Sequence, residues 1–386
     1  MSYVRQLTLQ QFRCYETAQL CDLRSGAVVL YGANGAGKTN VLEAISLLAP
    51  GRGMRGAKVP EIQNQGKGAN GTPWSVAAKV EARYGEVQIG VGRDPRKDSK
   101  RLIRINGEAA KSQAMLGEYL SCVWLTPQMD RLFLDGASAR RQFLDRLIFA
   151  FDASHTGRLT RYENAMRQRS KILKEHEQPD TSWLEGLEAT MAETGVAISA
   201  ARIDFVERLQ ASCNDADQSI TAHFPLVKIS LSGTVEELLT RMPALEVEDM
   251  FKYQLSQTRA QDAVTGGAAT GAHKSDLLAR YQRKNMAADQ CSTGEQKALL
   301  IGLVLAHARL ISAEKGAPPL LLLDEVAAHL DDNRRAALYD LLHEMGGQVW
   351  LTGTDKSLFQ SIENRAQMIA VADSDLCPES VQKNVA

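Results

Sequence analysis

The chain has 386 residues, enough for two or three domains and a sizeable buried core. Its 45 Lys and Arg nearly balance its 46 Asp and Glu, leaving a net charge of −1. The chain as a whole therefore exerts no electrostatic pull on nucleic acid, and any such site must be a local patch or one assembled by dimerisation. The cysteines Cys14, Cys21, Cys122, Cys213, Cys291 and Cys377 are scattered and form no CxxC pair, which argues against zinc, a disulfide framework or a dithiol redox site and fits a reducing cytoplasm.

Met1 to Arg13 alternates apolar and polar residues and lacks the apolar core of a signal peptide. Val4, Leu7, Leu9 and Phe12 predict a first strand, closed by Arg13. After the turn Arg24-Ser25-Gly26, the run Ala27 to Tyr31 predicts a short buried strand. Gly32-Ala33-Asn34-Gly35-Ala36-Gly37-Lys38-Thr39 then fits the pattern Gly, four residues, Gly-Lys-Ser/Thr. Val41, Leu42, Ile45 and Leu48 follow at helical spacing, so a helix starts near Lys38. Strand, Gly-rich turn and helix is the setting in which main-chain N–H groups and a helix N-terminus converge on phosphate. Lys38 is the residue to reach the β- and γ-phosphates, and the Thr39 hydroxyl the one to ligate Mg²⁺.

Pro50 to Gly56 is expected to be a flexible basic loop, and Gly66 to Pro73 another. Ser75 to Ala82 and Glu86 to Gly92 read as strands, and Leu102 to Ile105 with Asn106-Gly107 as a hairpin. Val123-Trp124-Leu125 is a further buried strand, leading to Thr126-Pro127-Gln128. Helical patterns then cover Arg140 to Phe151, Arg158 to Glu177 and Trp183 to Ala211, with Gly157 and Pro179 as interruptions. They carry no sustained heptads and predict a compact helical arm. Gly266 to Gly271 is expected to be a flexible return link. Arg140, Arg141, Arg146, Arg158, Arg161, Arg167, Arg169, Lys171 and Lys174 crowd the first part of the arm. They form either a solvated face with Asp145, Glu163 and Glu175 as counter-charges, or a contact to a phosphate backbone or partner.

Cys291-Ser292-Thr293-Gly294-Glu295-Gln296 opens an apolar helix, whose run Leu299 to Ile311 is broken by His307 and Arg309 and is expected to be too short to span a membrane. Ser292 with Glu295 is a capping box. The same Ser-x-Gly-x-Gln, ahead of Leu320-Leu321-Leu322-Leu323-Asp324-Glu325, also has the order of an ABC-type signature, with Ser292 and Gly294 as the nucleotide-facing residues. Four leucines suit a strand buried on both faces, with carboxylates at its carboxyl end where α/β sheets bind ligands. Asp324 is the candidate Mg²⁺ residue and Glu325 the candidate base for an attacking water. Asp331 falls at the position of a D-loop, and Gln128 at that of a Q-loop whose side chain reaches Mg²⁺. After the apolar strand Gln348 to Leu351, Thr352 or Thr354 occupies the switch position where many such ATPases have His, and either one of them contacts the γ-phosphate or nothing there does.

These parts give an α/β fold class: an ABC/SMC-like P-loop ATPase head with an inserted, mostly helical arm domain. Residues 1–133 form the first part of the head with a β-rich flap, 134–270 the arm, and 271–386 the second part of the head. In this class two protomers dimerise head to tail, each ATP lying between one phosphate loop and the other copy's signature helix.

The order of shorter motifs resembles the RecF family over most of the chain. Leu7 to Arg13 is similar to its first strand, Thr39 to Ile45 with Gly51 to Arg55 to its phosphate-loop helix and basic turn, and Arg140 to Asp145 to its arm entry. Gly271-Ala272-His273-Lys274-Ser275-Asp276-Leu277 resembles its Gly-Pro-His-Arg-Asp-Asp-Leu segment, with Ala272, Lys274 and Ser275 departing from it. The resemblance implies a cytoplasmic ATP-driven homodimer on DNA, at single-strand gaps and duplex junctions, with slow hydrolysis as a dimer switch. It also implies partnership with RecR and RecO and the loading of RecA. Competing readings are an SMC or Rad50-type chromosome ATPase, a transporter cassette and a small-molecule kinase. The first needs long heptad arms with a hinge or hook, the second a signature nearer the phosphate loop, and the third no signature at all.

Overall fold

The computed structural model describes residues 2–66, 72–95, 97–175, 180–215 and 223–379. Residues 67–71 of the expected Gly66 to Pro73 loop, the end of the helical pattern at Glu177, and Pro179 lie outside the described residues. The described residues divide into two compact units. One draws on Met1–Asp130, Asp217–Phe224 and Leu303–Ala386, the other on Arg131–Ala216 and Pro225–Gly302.

In chain order the first unit opens with β1 (Tyr3–Phe12), β2 (Tyr15–Leu20), β3 (Gly26–Tyr31) and α1 (Lys38–Ser46). It continues with β4 (Ser75–Ala82), β5 (Gly85–Asp94), β6 (Lys97–Ile105), β7 (Glu108–Ala109) and β8 (Cys122–Leu125). The second unit holds α2 (Ala137–Phe149), α3 (His155–Glu175), α4 (Thr181–Asn214), β9 (Val227–Ser232), α5 (Thr234–Leu239), α6 (Ala244–Gln257), α7 (Arg259–Thr265), β10 (Asp276–Tyr281) and β11 (Met286–Ala287). Then come α8 (Thr293–Lys315), β12 (Leu320–Leu323), α9 (Asp332–Met345), β13 (Gln348–Gly353), β14 (Ala366–Ala372) and β15 (Asp375–Pro378).

Two sheets build the first unit. An antiparallel one runs β2-β1-β4-β5-β6-β7, and the other runs β15-β14-β3-β13-β12-β8. In the second, β14, β3, β13, β12 and β8 are all parallel. Their carboxyl ends therefore open on one edge, and the segments that leave β3, β13, β12 and β8 collect there. Parallel strands need both faces covered. The sequence meets that demand with Val28, Val29 and Leu30 in β3 and four leucines in β12, all at most 2% exposed. The core beneath is shared by α1, the β3 sheet and the apolar face of the antiparallel sheet, with Trp74 edge-on to Phe12 at 5.8 Å. The β6–β7 turn has Asn106 and Gly107 both at positive φ, the conformation that a tight two-residue hairpin requires.

The second unit packs α3, α4 and α6 around Tyr162, Met191, Val196, Val247, Phe251 and Leu255, and adds the antiparallel sheet β11-β10-β9. Several expectations shift here. Gly157 lies inside the first turn of α3 instead of interrupting it. Gly266 ends α7 in the left-handed conformation, but the link after it is packed: Ala268 is 3% exposed and the Ala269 N–H bonds Asp262. The division near Asp130 is close to the expected start of the arm, whereas the expected return to the head at 271 falls within the second unit, which runs on to Gly302. The reason is β10, which pairs with β9 along its full length.

The helix α8 is 23 residues long and, by length and composition alone, apolar enough to cross a membrane. Yet 78% of its most apolar 18-residue stretch is buried inside the protein, the mark of a core helix.

Candidate nucleotide-binding site

The phosphate loop leaves β3 at its carboxyl end and enters α1 at Lys38. Gly32, Gly35 and Gly37 all have positive φ, at 151°, 82° and 116°. At Gly32 a Cβ would lie 2.1 Å from the Val371 carbonyl oxygen, and at Gly37 one would lie 2.5 Å from the Tyr15 hydroxyl and 2.9 Å from Cys14 Sγ. Both positions admit only glycine, for steric and conformational reasons together. Ala33, Asn34 and Ala36 fill the turn between them, and the Ala36 N–H bonds the Ala33 carbonyl at 3.3 Å.

Lys38 is 4% exposed, and its Nζ donates to the carbonyls of Gly32 at 2.6 Å and Ala33 at 2.8 Å. Burial pulls its pKa down, while Glu325 and Asp324 oppose the shift. A desolvated ammonium held against two carbonyls at the mouth of the loop is a cation with an unmet demand for anionic partners.

Across the sheet, the Thr39 hydroxyl donates to both oxygens of Asp324, at 3.0 and 3.1 Å. Asp324 is 5% exposed. Burial raises its pKa, and bonds from Thr352 and Thr39 counter that. A buried carboxylate facing a hydroxyl is a pair of hard oxygen donors suited to a divalent cation, and main-chain N–H groups of the loop suit a polyphosphate. These residues fit a Mg²⁺-nucleotide. Glu325 follows with a left-handed backbone, φ 52°.

Thr352 is the penultimate residue of β13 and lies beside Asp324, with its hydroxyl donating to Asp324 Oδ1 at 2.8 Å and accepting the Glu325 N–H at 2.8 Å. Thr354 is exposed. Gln128 is exposed in the short turn Pro127–Arg131 that leaves β8. Asp331 caps α9, its Oδ1 accepting the Arg334 N–H at 2.9 Å. A cavity of about 300 Å³ lined by Ser25, Gly26, Tyr339, His343 and Gly347 opens at the opposite, amino-terminal edge of β3 and β13 and is no part of this site.

In the second unit, Ser292 and Gly294 are exposed at the start of α8. The capping box is complete: Glu295 Oε2 accepts the Ser292 N–H at 3.0 Å and its hydroxyl at 2.9 Å, and Lys284 pairs with Glu295. The Lys284 bond, then those from Ser292, hold the Glu295 carboxyl down at about 2. Gln296 is buried, with Nε2 donating to the Cys291 carbonyl at 3.0 Å. The cap and the glycine thus leave a helix N-terminus that faces solvent.

Sequence reasoning missed the brace on α1. Glu43 is 1% exposed and clamped by Arg13, through Nε at 2.8 Å and Nη2 at 2.5 Å, and by Arg55 Nη1 at 2.9 Å. Arg55 also bonds Asn40 Oδ1, and the Met54 N–H bonds Ser46 Oγ, so the basic loop expected to be flexible is pinned to α1. The signal was a glutamate among the apolar residues of a short helix.

The two segments whose sequence resembles the RecF family, Arg140 to Asp145 and Gly271 to Leu277, meet each other in the second unit. Arg140 forks onto Asp276 at 2.7 and 2.8 Å, and Arg141 bonds the Ser275 carbonyl at 2.7 Å. Asp145 accepts from Arg202 at 2.9 and 2.8 Å and from His155 at 2.8 Å, and Arg202 reaches the Ala272 carbonyl at 2.6 Å. Ser275 donates to Glu236 at 2.6 Å, and a Cβ at Gly233 would lie 2.1 Å from that carboxylate's other oxygen.

Known proteins agree with this architecture. The family profile of the RecF/RecN/SMC N terminal domain matches residues 3–375. The DNA replication and repair protein RecF of Mesorhizobium japonicum is 46% identical over 378 residues, 98% of either chain. That of Rhizobium leguminosarum bv. trifolii is 45% identical over 96% of this chain and 97% of its own. The chain belongs to the RecF family. A solved structure of the recombination mediator protein RecF-ATP in the RecFOR pathway covers 98% of both chains at TM-score 0.82 and 25% identity. The Smc head domain of Pyrococcus furiosus, at TM-score 0.55 and 18% identity, shares the fold. A RecF-family, SMC-like ATPase head is therefore the fold of the first unit's sheets, and the separate chromosome-ATPase reading has far less support than RecF at this identity.

Proposed function

We propose that the chain is an ATP-gated DNA-binding protein of replication and recombinational repair. The observation that carries the reading is the convergence, on one edge of a parallel sheet, of the phosphate loop, Asp324 with Thr39, and Glu325. The RecF relatives and the RecF-ATP structure support it. Main-chain N–H groups from Gly32 to Thr39 and the Lys38 ammonium would bind ATP, while Thr39, Asp324 and Gln128 would hold Mg²⁺. When bound, Mg²⁺ neutralises charge on the phosphates. Glu325 would take the proton of the attacking water.

The exposed Ser292, Gly294 and Asp331 would complete the site of a second copy, so that ATP closes a homodimer and slow hydrolysis reopens it. The closed form would hold DNA at single-strand gaps and duplex junctions in the cytoplasm, working with RecR and RecO to load RecA. Sedimentation with Mg²⁺ and ATP, with and without gapped duplex, tests this. An ATP-dependent dimer that retains DNA is expected for the natural protein and none for Lys38→Met. A monomer under all conditions, or unchanged dimerisation of Lys38→Met, would reject the gate.

A further inference from the structure

We infer that Thr352 is a positioning residue that sets Asp324 and Glu325 in their working arrangement and acts through them, not on the nucleotide. The inference rests on the ATP-site reading above and deepens it.

Thr352 lies on β13 between β12 and β3, and its side chain belongs to a residue only 1% exposed. A hydroxyl has one proton to give. Here that proton goes to Asp324 Oδ1 at 2.8 Å. Terminal phosphate oxygens only accept, so Thr352 cannot bond a γ-phosphate without first releasing Asp324. One of its two lone pairs accepts the Glu325 N–H at 2.8 Å.

That second bond bears on geometry. Glu325 has φ 52°, a left-handed backbone that residues with a side chain seldom adopt. Its N–H points at Thr352, and the direction in which its carboxylate leaves the main chain follows from that turn. Asp324 is fixed from two sides, by Thr352 on Oδ1 and by Thr39 across both oxygens. One buried hydroxyl thus ties the orientation of the carboxylate facing Thr39 to that of the candidate base.

Thr352→Val keeps the β-branched shape and removes both bonds. In the full-length protein we expect single-turnover hydrolysis to fall about 10²-fold, the scale of a small misplacement of reacting groups. Affinities for ATP and ADP, read by displacement of a fluorescent nucleotide, should each stay within about threefold, since the bond is not to the ligand. In the nucleotide-free protein, amide exchange in the peptide carrying Glu325 should quicken. Thr352→Ser should recover most of the hydrolysis. Should the valine variant fail to fold, Thr352→Ser against Thr352→Ala isolates the hydroxyl.

Natural hydrolysis in Thr352→Val would overturn the inference. So would a loss of ATP affinity with ADP spared, which is the signature of direct γ-phosphate contact, or a serine variant as impaired as the valine or alanine. Lys38→Met separates the two levels. If it binds ATP normally, the site reading itself fails. If it loses ATP while Thr352→Val hydrolyses normally, only the role of Thr352 fails.

Discussion

Burial pulls the His273 pKa below the ordinary 6.5, with Lys274 and Arg141 adding to the shift and the Ala268 bond opposing it. Its hydrogen bonds fix the tautomer. Nε2–H donates to the Ala268 carbonyl at 3.0 Å, and Nδ1 accepts the Tyr162 hydroxyl at 2.7 Å. The residue that marks the family's Gly-Pro-His segment is therefore a latch between that segment and α3. Below about pH 6.5 the unfolded chain takes up a proton that the folded state refuses, so the unfolded state binds more protons there. Stability should rise with pH from the lowered pKa of the folded state up to about 6.5, by at most about 1.4 kcal/mol per unit, and stay level on either side of that window. His273→Gln keeps an acceptor and a donor but does not titrate. Urea melts between about pH 5 and 7.5 should show a shallower pH slope for this variant. Equal slopes would assign the dependence to another group.

At the scale of elements, α3 shows why charge density in a sequence misleads. Arg169 reads there as one more member of a basic stretch, yet it is 1% exposed. It bonds Glu188 at 2.9 Å and the Leu255 carbonyl at 2.7 Å, and pairs with Asp262 at 2.8 Å. Glu188 in turn takes both arms of Arg259. Arg140 and Arg141 are spent on β10 and the residue before it, and Arg158 on Asp152 and Ser154 near the helix start. On the exposed face Arg161, Arg167, Lys171 and Lys174 remain; Arg167 bonds Asn164 at 3.0 Å and pairs with Glu163 at 4.0 Å, and Lys171 pairs with Glu175 at 3.9 Å. Arg169→Met should cost about 3–5 kcal/mol in denaturant unfolding, because it strands buried carboxylates. Arg161→Gln with Arg167→Gln should change stability by less than about 0.5 kcal/mol. If that face meets phosphates, the slope of log affinity against log salt drops by about 0.9 per lost contact, and an unaltered slope returns α3 to a solvated face. The strands, the hairpin at Asn106-Gly107 and the phosphate loop were legible because each is written in consecutive residues. The pairings of Arg140 with Asp276 and Arg202 with Asp145 were not, because each joins segments far apart in the chain and no local period records them.

For the whole molecule the question is whether nucleotide binding and hydrolysis can be separated, since a gate must hold before it releases. The site divides the tasks among different residues. In the proposed site phosphate binding would fall to the loop and Lys38, whereas Glu325 follows another strand, β12, with its N–H bonded to Thr352 and its side chain making none of the bonds that shape the loop. Glu325→Gln preserves size and backbone while removing the basic oxygen. ATP affinity should stay within about threefold. Hydrolysis should fall by about 10² or more, the usual share of a positioned base. If hydrolysis is what reopens the dimer, its lifetime must lengthen by a similar factor, because the closed form then waits on a slower step. Gel filtration with light scattering, after a chase with excess ADP, reads that lifetime directly. A variant that binds ATP and fails to hydrolyse it, yet separates as fast as the natural protein, would show that the dimer opens without hydrolysis and that ATP acts by occupancy alone. A variant that hydrolyses at the natural rate would remove Glu325 as the base and leave the carboxylate beside it, Asp324, already committed to Thr39 and Thr352, without an obvious substitute on this edge.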